Sequence, residues 1–281
     1  MTSGVHVRDA VLRRAVDLDR QPEKRQPILG AFSVAGYPNL RSGVDAFVTF
    51  AESGAGMLEV GAPTADPWLD GPAIAAAHGC ALRAGDGVSV TLETVRRIST
   101  RCDTPVVVMS YWSTIQAIGP QRMADELASS GVSGCLVPDV PPERVEAWVA
   151  AAVEAGISAP LLANRDASYA ELGDICRAAT GFVYAPAVGG QRTGYSAGID
   201  LDGLAAFVRA VRGLAPSTPI MTGIGVSTPE LASAIVRQVD VSAVVIGSPL
   251  VRALHSDTDG LHQTAGVVKE FVAALAAGGA A

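Results

Sequence analysis

The stretch PIMTGIGVSTPELASAIVRQVDVSAVVIGSPL, residues 219–250, contains two apolar runs separated by a segment of helical periodicity. The runs at 219–225 and 243–250 are almost continuously apolar, which is typical of strands buried on both faces of a parallel sheet. Between them, residues 229–240 place their apolar side chains at helical spacing. The stretch therefore predicts a strand–helix–strand unit.

The same unit recurs along the whole chain. Six further strands are predicted, at residues 28–36, 57–61, 105–111, 134–139, 159–164 and 181–187. Eight such units are typical of the (β/α)8 barrel, so we predict an α/β fold with a single TIM barrel domain over residues 1–281. An open doubly wound sheet is the alternative, but no G-x-G-x-x-G motif follows the first strand.

Three segments lie outside the regular repeat. We predict an extra N-terminal helix at residues 1–25 that caps the barrel floor, and a flexible tail of small residues at 274–281. The connection between the second and third strands is unusually long and contains two helical patterns, at 73–85 and 91–100. Extra length at the carboxyl end of a barrel strand usually carries function.

Composition narrows the class of function. Of the 281 residues, 49% are hydrophobic and 17% are charged, which indicates a large core, and no apolar run is long enough to cross a membrane. The formal charge of −7 disfavours nucleic acid as a partner. The N-terminus has neither a secretory nor a transit signal, so we expect a cytoplasmic protein with a small-molecule substrate.

Cysteine and histidine are scattered rather than clustered. The four residues of each type share no metal-ligand spacing, so we expect neither a bound metal nor another cofactor. Lysine occurs only at Lys24 and Lys269, outside the strand ends. An imine-forming lysine is therefore not expected at the active site.

Three carboxyl groups are concentrated in MLEVGAPTADPWLDGP, residues 57–72. Alternation along the strand turns Glu59 toward the barrel interior, where partial desolvation raises the pKa of a carboxyl group and suits it to acid–base catalysis. A glutamate that only hydrogen-bonds a neighbouring loop is an equal alternative. Asp66 and Asp70 lie in a loop stiffened by prolines, where an aspartate more often hydrogen-bonds the backbone than reacts.

Glycine-rich loops follow the last three strands. GIGVS (223–227) and IGSPL (246–250) end the seventh and eighth strands, where this fold usually holds phosphate groups. Tyr184 lies in the sixth strand and precedes AVGGQRTGYSAG (187–198), which has the composition of a lid. A tyrosine in a strand is more often part of the core than catalytic.

From about residue 28 to 252 the chain resembles the tryptophan synthase α subunit family. The pattern E-x-G-x-P-x-x-D-P-x-x-D-G-P over 59–72 carries the resemblance, and VPDVPPE (137–143) also matches the family. The resemblance implies cleavage of indole-3-glycerol phosphate to indole and glyceraldehyde 3-phosphate, with Glu59 and Asp70 as catalytic acids. It implies that Asp66 faces a partner β subunit.

The resemblance also assigns the remaining site residues. Tyr184 becomes an active-site residue. The residues expected to bind the substrate or its phosphate are Phe32, Tyr111, Gly194, Gly223, Ile224, Gly225, Gly247 and Ser248.

The expected chemistry does not need a lysine or a metal. Breaking a carbon–carbon bond by a retro-aldol reaction leaves an electron pair that needs a sink, and an indole ring protonated at C3 supplies one. Glu59 would deliver that proton and later accept the side-chain hydroxyl proton, while Asp70 accepts a hydrogen bond from the ring N–H.

Several loops depart from the family pattern. YWST (111–114), ANRD (163–166) and the segment after Tyr184 differ from the usual sequences. A free-standing lyase that releases indole is therefore one interpretation, beside a subunit of a synthase. Two further hypotheses are a different aryl-glycerol-phosphate substrate, because Trp112 and Arg165 would reshape the pocket, and a non-catalytic regulatory subunit.

Overall fold

A computed structural model describes residues 27–189, 198–255 and 259–279 of the chain. Its strands are β1 (Ile28–Val34), β2 (Met57–Gly61), β3 (Val106–Met109), β4 (Gly134–Leu136), β5 (Leu161–Leu162), β6 (Val183–Pro186), β7 (Ile220–Gly223) and β8 (Ala243–Ile246). Its α-helices are α1 (Leu40–Glu52), α2 (Pro72–Leu82), α3 (Gly87–Ser99), α4 (Trp112–Ile118), α5 (Pro120–Ser130), α6 (Val145–Glu154), α7 (Tyr169–Ala178), α8 (Leu201–Leu214), α9 (Pro229–Gln238), α10 (Ser248–Leu254) and α11 (Gly260–Gly279).

The eight strands form one parallel sheet in the order β4-β3-β2-β1-β8-β7-β6-β5. A parallel bridge joins Gly134, in β4, to Ser158, three residues before β5, and so connects the two ends of the sheet. There the Cys135 N–H donates to the Ser158 carbonyl at 2.9 Å, and the Ser158 N–H donates to the Ser133 carbonyl at 3.0 Å. The sheet thus closes, and the predicted (β/α)8 barrel is confirmed.

Side-chain caps fix the starts of several outer helices. Ser168 and Glu171 form a reciprocal capping box at the start of α7, and the Asp200 carboxylate accepts the Gly203 N–H at the start of α8. Each of these helices buries one apolar face against the strands. The helices predicted at 73–85 and 91–100 are present as α2 and α3.

Some predicted elements differ from those of the structure. The eighth strand ends at Ile246 rather than at 250, because Pro249 lies in the first turn of α10. The short helix α4 follows β3 without having been predicted. The C-terminal helix, which was predicted to fray into a flexible tail from residue 274, is helical through Gly279, where the buried Leu275 and Gly278 continue the packed face of α11.

The predicted N-terminal helix at 1–25 lies outside the described residues, as does the expected phosphate-binding Gly194. No helix in the described ranges is long and apolar enough to cross a bilayer.

Candidate active site

A cavity of about 260 Å³ opens at the carboxyl ends of the strands. Most of its wall is apolar and comes from many different strands and loops. The apolar side chains that line it are Phe32, Leu69, Ile74, Met109, Leu136, Pro138, Leu162, Ile224, Val226 and Val245. An apolar wall with a few convergent polar groups is the usual form of a small-molecule site.

Glu59 lies in the middle of β2 and borders this cavity. Its register partner on β1 is Phe32, so the carboxyl group lies beside an aromatic ring, and the residue is only 5% exposed. Burial, followed by the nearby negative charge of Asp70, raises the pKa of Glu59 to about 8. At neutral pH this carboxyl group is therefore protonated and can act as a general acid.

Asp70 is held in the loop between β2 and α2. Its backbone N–H donates to the Pro67 carbonyl at 2.9 Å, which closes a turn. The Tyr111 hydroxyl donates to Asp70 Oδ2 at 2.8 Å and accepts the Leu69 N–H at 3.3 Å. One tyrosine thus contacts both the backbone of the loop and the Asp70 carboxylate.

A buried histidine lies on the other side of Asp70. His78 Nε2 is 3.2 Å from Asp70 Oδ2, and the side chains are 0% and 1% exposed. The two atoms do not form a hydrogen bond in this conformation, since Nε2 has no hydrogen-bond partner among the residues that the structure describes. Asp70 is therefore enclosed by Tyr111 and His78 on the side away from the cavity.

Tyr184 lies on β6 with its side chain buried against the cavity. Burial first, and the charge of Glu59 second, raise the pKa of the Tyr184 hydroxyl well above its usual value. The phenol therefore stays neutral and can donate a hydrogen bond to a ligand.

The loops after β7 and β8 form the polar part of the wall. Ile224 has φ of 56° and Gly225 has φ of 97°, so two consecutive residues adopt the left-handed conformation. A branched side chain rarely takes this conformation, and such strain is concentrated at functional sites. Gly247, Ser248 and the guanidinium-bearing Arg252 border the cavity from the β8 side.

Most of the predicted site residues meet at this cavity. Those that border it are Phe32, Glu59, Asp70, Tyr184, Ile224, Gly225, Gly247 and Ser248. Gly223 immediately precedes Ile224 in the chain and lies next to the Tyr184 hydroxyl. Tyr111 was predicted to bind substrate, but it does not border the cavity and contacts Asp70 instead. Asp66 is exposed.

Sequence reasoning missed several residues of the site. Met109 and Leu136 line the cavity only because β3 and β4 end there, and nothing in the local sequence marks them. Arg252 lies one helical turn beyond the predicted Ser248. His78 has a recognisable signal, since it is the single polar aromatic residue in the otherwise apolar run AIAAAHGCAL.

The closed barrel, with two acidic side chains in a cavity at the carboxyl ends of its strands, defines a (β/α)8-barrel enzyme. The family model described as "Tryptophan synthase alpha chain" matches residues 18–278. The tryptophan synthase alpha chain of Geobacter sulfurreducens is 35% identical over 224 residues, covering 80% of this chain and 83% of that one. The alpha chain of Streptomyces coelicolor is 34% identical over 248 residues, covering 88% of each.

Solved structures agree with these relatives. A chain of tryptophan synthase from Mycobacterium tuberculosis superposes with a TM-score of 0.83 at 31% identity, covering 94% of this chain and 97% of that chain. This chain belongs to the tryptophan synthase alpha chain family and is a carbon–carbon lyase of that type.

Proposed function

We propose that this protein cleaves indole-3-glycerol phosphate into indole and glyceraldehyde 3-phosphate. The observation that carries the proposal is the pair of acids in one apolar cavity: a buried Glu59 with a pKa of about 8, and an Asp70 whose negative charge contributes to that value. The two carboxyl groups thus occupy unlike environments, as an acid–base pair requires.

Glu59 moves both protons of the reaction. In its protonated form it donates a proton to C3 of the indole ring, which makes the ring an electron acceptor. The resulting carboxylate then removes the proton of the side-chain hydroxyl next to the ring. As the carbonyl of the aldehyde forms, the carbon–carbon bond breaks and its electron pair returns to the ring, so indole leaves and Glu59 is again protonated.

Asp70 stabilises the protonated ring. Its carboxylate accepts the ring N–H, and its negative charge offsets the positive charge that protonation creates. Tyr111 donates the 2.8 Å hydrogen bond to this carboxylate. The apolar wall formed by residues such as Phe32 and Leu136 excludes water and packs against the flat ring.

The phosphate is assigned to the loops after β7 and β8. Gly225 and Gly247 border the cavity and have no side chains of their own to cover their backbone N–H groups, and the Ser248 hydroxyl adds a donor. Arg252 at the same edge supplies a positive charge. A dianionic group is expected to bind at this end of the cavity.

The alternative aromatic substrate is disfavoured by where its two supporting residues lie. The backbone N–H of Trp112 donates to the Asp139 carboxylate at 2.7 Å, and the Trp112 side chain is packed in the core. The Arg165 guanidinium donates to the Ala187 carbonyl at 3.0 Å and lies over the Phe207 ring. Neither residue borders the described cavity. A regulatory subunit without activity would have no need for the acid pair.

A tryptophan synthase β subunit is the proposed partner. Family membership supports it, and so does the exposed Asp66 in the loop that also carries Asp70. We also propose that the protein is located in the cytoplasm.

The decisive experiment is to incubate the purified full chain with indole-3-glycerol phosphate and measure indole release. We expect release by the wild type and none above background by Glu59→Gln. Glu154→Gln replaces an exposed glutamate at the end of α6 and should behave like the wild type. Undiminished indole release by Glu59→Gln would disprove the proton transfers assigned here.

Repeating the assay with an added β subunit tests the partner. Faster formation of indole, or conversion of that indole into a further product, in the presence of the β subunit would support a synthase complex. Full activity without stimulation would show a lyase that acts alone.

A further inference from the structure

We propose that His78 is a positioning residue that holds the Asp70 carboxylate in the orientation needed to receive the ring N–H of the substrate. The inference rests on the proposed function and extends it to a side chain on α2 that does not touch the cavity. His78 is absent from the cavity wall, so any effect it has on catalysis must act through a neighbour.

The His78 ring is fixed at one nitrogen by the backbone. The Thr64 N–H donates to His78 Nδ1 at 3.1 Å. Thr64 lies in the same loop as Asp70, so the histidine connects the beginning of this loop to its end. The imidazole is fully buried and cannot rotate toward solvent to find another partner.

This contact selects the tautomer. A backbone N–H can only donate, so Nδ1 must present its lone pair, and the ring proton of a neutral imidazole then lies on Nε2. Within the described ranges Nε2 has no hydrogen-bond partner, and Asp70 Oδ2 is 3.2 Å away. A small rotation of either side chain aligns this N–H with the carboxylate. That alignment is favoured because a buried donor without a hydrogen-bond partner is energetically costly.

Tyr111 and His78 both lie next to the same oxygen of the Asp70 carboxylate. The Tyr111 hydroxyl donates to Asp70 Oδ2, which is also the oxygen facing His78 Nε2. Oδ1 is therefore the oxygen that is left for a ligand. Two supports for one oxygen fix the plane of the carboxylate, because a single hydrogen bond allows it to swing.

Neutral donors are suited to this task. The Asp70 side chain is 1% exposed and has lost most of its hydration, so it needs hydrogen bonds from the protein. An arginine or lysine would supply them but would neutralise the charge that the protonated ring requires. A tyrosine and a neutral histidine stabilise the carboxylate and leave its negative charge available to the substrate.

The test compares His78→Asn with His78→Gln. The asparagine amide overlaps the position of Nδ1 and can still accept the Thr64 N–H, but it does not reach Asp70. The glutamine amide overlaps the position of Nε2 and can donate to Asp70. We expect His78→Asn to lower kcat by about 10- to 100-fold, by analogy with residues that orient metal-binding side chains, and to change KM by less than about threefold. We expect His78→Gln to recover most of the loss.

A double-mutant cycle separates positioning from general stability. If His78 acts through Asp70, adding His78→Asn to Asp70→Asn should lower kcat by less than about twofold further. Multiplicative losses in the double mutant, or a kcat of His78→Asn within about twofold of wild type, would overturn the inference. His255→Asn, which removes a histidine bonded to Tyr37 at 3.2 Å outside the cavity wall, is the control.

Crystal structures of wild type and His78→Asn keep the two proposals distinguishable. The inference predicts one Asp70 orientation in the wild type and more than one in His78→Asn, whether or not the protein releases indole. An unchanged single orientation in His78→Asn would refute it. Absence of indole release by the wild type would refute the proposed function alone.

Discussion

The substitution Glu59→Gln measures how strongly the fold opposes ionisation of this side chain. Glutamine has nearly the same shape but no proton to lose, so the comparison isolates the charge. In the folded chain, burial and the charge of Asp70 raise the pKa of Glu59 from 4.5 to about 8. In the unfolded chain the carboxyl group returns to its ordinary value.

The sign and size of the effect follow from proton linkage. Between these two pKa values the folded state binds a proton that the unfolded state has lost, so the free energy of unfolding of the wild type falls as the pH rises. It stops falling above about pH 8, where Glu59 ionises in both states. Since each pKa unit corresponds to 1.36 kcal/mol, raising the pH from 5 to 9 should lower the stability through this residue by about 4 kcal/mol.

Urea unfolding of wild type and Glu59→Gln at pH 5, 6, 7, 8 and 9 provides the assay. Other titrating groups contribute equally to both proteins and cancel in the difference. We expect the variant to gain about 4 kcal/mol relative to the wild type over this range, a large fraction of the stability of an ordinary domain. The matched variant Glu154→Gln, at an exposed position, is the control.

A difference that stays constant with pH would refute the reasoning. It would mean that Glu59 ionises normally in the folded protein and cannot be a proton donor at neutral pH. The same value also predicts the activity profile: kcat/KM of the wild type should fall with loss of one proton above about pH 8, because the first step needs protonated Glu59.

Three further changes test other parts of the site. Asp70→Asn should lower kcat on the order of 100-fold, because the protonated ring loses its charge partner. Asp66→Asn, at an exposed position of the same loop, should leave kcat of the isolated chain unchanged. Equal rates for the two variants would contradict the role of Asp70. Gly223→Ala should lower kcat and Tm together, because the new Cβ would overlap the Tyr184 hydroxyl oxygen and lie 2.9 Å from the Val245 carbonyl oxygen. Wild-type kinetics and an unchanged Tm would contradict this prediction and show that the loop adjusts without cost. Arg252→Met should raise KM for indole-3-glycerol phosphate about 10-fold with little change in kcat, as expected for a phosphate-binding charge that acts equally in the ground and transition states; an unchanged KM would place the phosphate elsewhere.

The local pattern of the sequence was sufficient to predict the barrel. Continuous apolar runs and helical spacing are properties of neighbouring residues, and they located all eight strands of the sheet. Alternation within MLEVG likewise predicted that Glu59 points inward, and in the structure Glu59 borders the cavity at the carboxyl ends of the strands. The ends of the strands were predicted less accurately, because each end depends on the conformation of a single turn. At Pro249, for example, a helix occupies the end of the predicted strand.

The sequence by itself determined the repeat, the inward direction of Glu59 and the family to which the acidic motif belongs. Only the tertiary structure decided that Tyr111, 41 residues from Asp70, supports that carboxylate rather than lining the cavity, and that His78 lies on its other side. It also decided the raised pKa of Glu59, since desolvation depends on everything that encloses a group. The physical reason is that periodicity is encoded by adjacent residues, whereas burial and hydrogen bonding depend on residues that meet only when the barrel closes.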